Sequence, residues 1–243
     1  GAFSNCESLA SLWVPVSLTA VKTADYTPSA FGGCPLLKEI TFEDGITAIP
    51  GHLFTSCTGL ESLVIPDTVT KIGYNSFGYC TSLREITLPQ GLATIDSYAF
   101  TKCSSLTDVT FPDSVTAIGT KAFAGCTGLT EIALPAKLET LGAGAFSNCE
   151  SLASLWVPVS LSAVKTADYT PSAFGGCPLL SEVTFEAGIT AIPGHLFTSC
   201  TGLESLVIRD TVTKIGYNSF GYCTSLREVT LPQGLATIDS YAF

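Results

Sequence analysis

Ten cysteines, two histidines, a column of carboxylates and two tryptophans are the side chains with chemistry to offer in this 243-residue chain. The cysteines are Cys6, Cys34, Cys57, Cys80, Cys103, Cys126, Cys149, Cys177, Cys200 and Cys223. An even set of thiols is enough for a disulfide framework, and thiols are also zinc ligands. Their spacing argues against both. Each lies three residues after the phenylalanine of a recurring phrase, Ala-Phe-x-x-Cys-x-x-Leu, with none left over. A small residue that recurs once per unit forms a ladder up a stack, and cysteine suits a crowded interior. The spacing reads as buried free thiols, with disulfides between neighbouring units and a metal site as the lesser alternatives. No C-x-x-C pair exists, so zinc would need ligands from several units.

His52 and His195 are copies of each other 143 residues apart, so they cannot share one metal or one active site. Each reads as a lone exposed histidine near a repeat turn. The sequence contains no G-x-S-x-G, no H-E-x-x-H and no phosphate loop. It contains no N-x-[ST] acceptor either. The expectation is a protein without catalytic residues or a metal, and not an enzyme.

The elements that must position these side chains follow from the period of the phrase. Its phenylalanine recurs at Phe3, Phe31, Phe54, Phe77, Phe100, Phe123, Phe146, Phe174, Phe197, Phe220 and Phe243. The steps are 23 residues, except for two of 28 that begin at Phe3 and Phe146. A fixed period of this size is the mark of stacked repeats, in which each unit touches only its neighbours. Counting from the phenylalanine, +6 is always Leu, and +9 and +11 are apolar between polar +8 and +10. That alternation predicts a short strand. Proline follows at +12 in seven of ten units, and it has no N–H to continue a ladder. A second short extended piece is predicted near +15 to +18, as in Val115-Thr116-Ala117-Ile118. The stretch from +19 to the next cysteine, rich in Gly and Ala, predicts a turn or short helix. The +9/+11 strands of successive units are expected to form one parallel sheet.

One full unit reads Cys103-Ser104-Ser105-Leu106-Thr107-Asp108-Val109-Thr110-Phe111-Pro112, then Val115-Thr116-Ala117-Ile118-Gly119 to Ala122-Phe123. This pattern closely resembles the leucine-rich repeats of the BspA-like (Treponema pallidum-type) family, and the resemblance runs through the whole chain. It implies a leucine-rich repeat solenoid, β-rich within the α/β class. One short strand per 23-residue repeat would build a parallel sheet on the concave side, with turns and short helices elsewhere. It also implies a surface protein that binds host proteins or other cells.

The array is expected to be a single domain over 1–243, about ten units and a fragment of something longer, since both ends fall inside the phrase. Two departures interrupt it. The first is an insertion, Lys22 to Ser29, repeated at Lys165 to Ser172, expected to bulge away from the main sheet. The second is the replacement of the +12 proline by Glu43, Glu186 and Arg209, expected to lengthen those strands slightly. Above the unit sits a longer repeat, 1–143 and 144–243. Residues 1–100 match 144–243 at all but six positions. The Ile40/Val183 and Ile86/Val229 changes keep the character of the +9 position, whereas Lys38/Ser181, Asp44/Ala187 and Pro66/Arg209 alter charge.

The formal net charge is −10, with no run of Lys or Arg. That disfavours nucleic acid and anionic membrane surfaces as partners. No stretch approaches the length of a transmembrane helix, so no membrane insertion is expected of these residues. There is no apolar leader in this piece.

Function must then lie in the outward +8 and +10 positions. Trp13 and Trp156 are the only tryptophans, both at +10 and six units apart, or roughly 30 Å at the spacing of paired strands. An exposed indole is a natural anchor for a protein or a sugar face. Thr41 and Thr184, outward at +10 in the next units, complete that candidate surface. Glu85, Asp108 and Glu131 hold the +8 position in three consecutive units. Carboxylates about 5 Å apart repel by roughly 0.8 kcal/mol per pair even in water. A calcium ion, or a Lys or Arg from a partner, would relieve that repulsion; otherwise no cofactor is expected. The sequence therefore reads as an extracellular, cell-surface binding module, part of an adhesin recognising a protein or glycan. The alternative is a spacer holding another domain away from the cell. Uncapped ends would let such a piece associate end to end.

Overall fold

The computed structural model describes residues 2–21, 29–165 and 171–243. The inserted segments at Lys22 to Ser29 and Lys165 to Ser172 fall largely outside these, and their expected bulge is not among the described features. Each unit contributes one turn of a solenoid, and most units carry two short strands. The first row holds Ser11–Val14, Glu39–Phe42, Ser62–Val64, Glu85–Thr87, Glu131–Ala133, Ser154–Val157, Glu182–Phe185, Ser205–Val207 and Glu228–Thr230. The second holds two- or three-residue strands near +17, such as Thr94–Ile95 and Ala117–Ile118. All pairings are parallel and join equivalent residues of adjacent units, as in Leu63 with Ile86 or Leu155 with Val183. The pleat leaves the outer residues of Ser62–Val64 and Glu131–Ala133 exposed and buries Leu63 and Ile132 between them.

The first row is not one continuous sheet. It breaks into pairs and one triplet, whereas the second row runs unbroken through six strands from Ala48–Ile49 to Ala163–Lys165. The +12 proline weakens the first row by removing one donor in each of seven units. Where glutamate replaces it, the N–H is restored: Glu43 donates to the Val14 carbonyl and Glu186 to that of Val157, both at 2.9 Å. The strands ending at Phe42 and Phe185 reach four residues, but so do their partners Ser11–Val14 and Ser154–Val157, which proline follows. Arg209 does not lengthen its strand; its Nε reaches the Phe185 carbonyl instead.

The inside of every turn is a ladder of rings. From Phe3 to Phe243 each phenylalanine stacks on the next, with centroids 5.2–6.0 Å apart and near-parallel planes. Each of the first ten also donates its N–H to the carbonyl preceding the next phenylalanine, as Phe77 does to Ala99 at 2.9 Å. The cysteines stand beside the rings. Apart from Cys6, every thiol donates to the phenylalanine carbonyl of the preceding unit, at 3.1–3.4 Å. None of the ten is in a disulfide. Burial pushes the thiols of Cys57 and Cys177 up to about 12 and that of Cys223 to about 11. The same desolvation holds Cys80, Cys103 and Cys126 well above the ordinary thiol range.

The short helices expected in the turns do not form among the described residues. The reason lies in the backbone. The residue two places after the repeat phenylalanine has positive φ in all ten units, from Asn5 at 57° to Tyr222 at 59°. In most units the residue two places before it does as well, as at His52, Asn75, Tyr98 and Lys121. A right-handed helix cannot pass through a left-handed residue, and only three residues separate the two. The turn wall is held instead by N–H groups donated to the next unit, such as Tyr98 to Thr120 and Lys102 to Ala124.

Candidate functional site

Along the first strand row two columns face solvent. The +8 column holds four serines and six acids, Glu39, Glu85, Asp108, Glu131, Glu182 and Glu228. The +10 column carries no charge at all: Trp13, Thr41, Val64, Thr87, Thr110, Ala133, Trp156, Thr184, Val207 and Thr230. An apolar and hydroxyl stripe thus runs beside an acidic one. Val64 and Val207 are 68% and 71% exposed.

The two tryptophans are not equivalent. Trp13 is 56% exposed and pairs in register with Thr41. Trp156 is half-buried, because its strand is flanked on both sides: Ala133 stands opposite it in one neighbour and Thr184 in the other. The structure therefore brings Thr41 beside Trp13 and Thr184 beside Trp156, and leaves the indoles as separate stations.

Two cavities meet at Trp156. One of about 410 Å³ is lined by Asp108, Asp113, Glu131, Pro135 and the indole. The other, of about 350 Å³, is lined by Glu131, Ser154, Glu182, Thr184 and the same indole. Four carboxylates thus line the two cavities that share this ring. Asp113, at +13, was not singled out by the alternation, because it follows the strand. Glu85, Asp108 and Glu131 are all exposed, but Asp108 lies outside any strand, and Glu85 lines neither cavity. No group of three or more His, Cys, Asp or Glu converges as a metal site among the described residues.

The histidines differ from expectation. His52 is half-buried and packs its ring on Tyr74, with centroids 4.9 Å apart. Desolvation holds its imidazole below the ordinary histidine value. His195 repeats the contact on Tyr217 at 5.1 Å.

A second cluster lies on the turn wall, and the sequence reading missed it. Lys102 sits with its ammonium 5.3 Å from the ring centre of Tyr79, and Lys121 sits 5.8 Å from that of Tyr98. All four residues have positive φ. The signal was present: Tyr79 and Lys102 share position +2 in consecutive units, and Tyr98 and Lys121 share −2. Comparing turn positions from unit to unit, as was done for the strands, would have found it.

The repeat pattern and the two-strand unit match a known family profile, described as a BspA type leucine rich repeat region. It matches in six copies over residues 1–66, 47–171 and 168–243. This chain belongs to the BspA type leucine rich repeat family. Among solved structures, this family member is similar to the Treponema pallidum leucine rich repeat protein TpLRR. Identity is 30% over 76% of this chain and 75% of that one, with a TM-score of 0.57. A leucine-rich repeat protein from Bacteroides ovatus matches at 24% identity over 96% and 76% of the two chains, TM-score 0.52. The pneumococcal vaccine antigen PcpA shares the fold at 17% identity over 96% and 66%, TM-score 0.50. Among curated proteins no relative matches. No helix among the described residues is long and apolar enough to cross a membrane.

Proposed function

We propose that this BspA type repeat array is a non-enzymatic, surface-exposed adhesion module that binds a protein partner through the face of its first strand row. The observation that carries this reading is Trp156 standing between two cavities lined by Asp108, Asp113, Glu131 and Glu182. An indole face attracts a cation, and the exposed carboxylates beside it accept charge-assisted hydrogen bonds from that cation. The matching ligand group is a lysine or arginine side chain on the partner. Such a residue also relieves the mutual repulsion of the +8 acids. Calcium fits less well, because the acids lie along a column rather than around a point. Trp13, with Thr41 opposite it in register and Glu39 opposite Ser11 in the same pair of strands, offers a second station to a partner with repeated epitopes.

The experiment is surface plasmon resonance with a Lys/Arg-rich peptide and a Glu-rich peptide of equal length. The basic peptide binds and the acidic one does not. Trp156→Ala weakens binding at least tenfold while circular dichroism stays unchanged, and Glu131→Gln flattens the salt dependence. Equal binding of both peptides, or no effect of Trp156→Ala, rejects the reading.

The near-identity of residues 1–100 and 144–243 favours a second role as a spacer, since duplication adds length. Exposed end rings, Phe3 at 55% and Phe243 at 48%, favour end-to-end association of the 243-residue chain. Sedimentation at rising concentration and salt tests that, because salt screens the net charge of −10.

A further inference from the structure

We infer that the turn wall carries a second binding site, for a carboxylated saccharide, independent of the sheet face. The site is an open trough of about 610 Å³, a size typical of small-ligand pockets. Tyr79, Tyr98, Lys102 and Lys121 stand along it, with Ser104, Thr127 and Glu150 among the other lining residues.

Three features select the ligand. The first is the cations. Ion pairs within 4.0 Å join Lys71 to Asp96 and Lys214 to Asp239, but neither Lys102 nor Lys121 has such a partner among the described residues. Lys38, Arg84 and Lys137 have none either; Lys102 and Lys121 differ in lining one trough together, where they offer positive charge to an external anion. The second is the hydroxyls. Ser104 donates to the Thr81 carbonyl and Thr127 to that of Ser104, so their donors are used and their oxygens are left to accept. Glu150 is an acceptor only when ionised. A ligand that brings several O–H or N–H donors as well as a negative charge fits these acceptors better than inorganic phosphate, which carries only one or two. The third is the rings. Tyr79, the more exposed of the two, offers apolar ring surface to C–H groups, whereas Tyr98 lies against both Lys121 and Tyr74; their hydroxyls add polar tips. A sugar acid combines a carboxylate, several hydroxyl donors and a flat C–H face.

The scaffold is set before binding. Tyr79, Lys102, Tyr98 and Lys121 each donate their N–H to the next unit, at 2.6, 2.7, 2.9 and 3.0 Å. A backbone already ordered reduces the cost of association.

Titration calorimetry of the 243-residue chain with digalacturonate, lactose and inorganic phosphate tests the site. Digalacturonate binds one to one, and lactose and phosphate bind at least tenfold more weakly. The double variant Lys102→Gln, Lys121→Gln lowers digalacturonate affinity at least tenfold without changing the melting temperature. Trp156→Ala leaves it unchanged, which separates this site from the sheet face. No heat with digalacturonate, equal affinity for lactose or phosphate, or retained binding in the double variant overturns the proposal.

Discussion

The thiol of Cys103 donates to the carbonyl of Phe77, one unit below, at 3.2 Å. The same contact climbs the solenoid from Cys34 to Cys223. It explains why the unit keeps a cysteine rather than an alanine: the phenylalanine carbonyl is buried and has a second lone pair to satisfy.

That burial sets the reactivity. Cys6 is partly exposed, whereas Cys34 through Cys200 are fully buried. In the native state at pH 8, Ellman's reagent should label about one thiol quickly. All ten react after denaturation. Rapid native labelling of four or more would show that the ladder is open.

Alkali should unfold the protein. An unfolded thiol titrates near 8.5, while Cys57 and Cys177 are held at about 12 in the fold. The unfolded state therefore binds fewer protons between these values, and stability falls as pH rises. Below about pH 8 this contribution is fully present. A melting temperature that drops from pH 9 to 11, and drops less in Cys57→Ala, is the expected outcome.

Phe100 stacks on Phe77 at 5.5 Å and on Phe123 at 5.3 Å and is fully buried. Phe100→Ala should cost about 3–5 kcal/mol, read as a lower midpoint in urea. Because units couple only to neighbours, the transition should also broaden.

Gly125 has a φ of 72°, at the position where Ser56 and Lys102 accept the same strain. Gly125→Ala should destabilise by about 1–2 kcal/mol, and Ser56→Gly should be neutral or stabilising. Opposite signs in thermal melts would refute the strain account.

The tryptophans should report their surroundings. Trp13 is 56% exposed and Trp156 is half-buried between acidic cavities. In Trp156→Phe the remaining fluorescence should be quenched strongly by acrylamide. In Trp13→Phe it should be quenched less by acrylamide, and less by iodide than by caesium, because the carboxylates repel an anion.

Much of this architecture is legible in one unit of sequence. Phe, Cys and Leu recur at fixed offsets, and the fully buried side chains fall at those offsets. The outward direction of Trp13, Thr41, Glu85 and Val64 follows from the period of two. The half-burial of Trp156 does not, because it depends on having a paired strand on each side.

The sequence by itself determined the period, the parallel stacking, the buried set and the solvent-facing columns. Each of these is a property of one unit multiplied by translation. The tertiary structure alone decided three other things. It replaced the expected helices by left-handed turns, since glycine, serine, tyrosine and lysine all occupy the same +2 position and composition does not reveal the sign of φ there. It aimed each thiol at a carbonyl in the unit below. And it laid Lys102 and Lys121 over Tyr79 and Tyr98, a contact set by rotamers across two turns of the chain rather than by spacing along it.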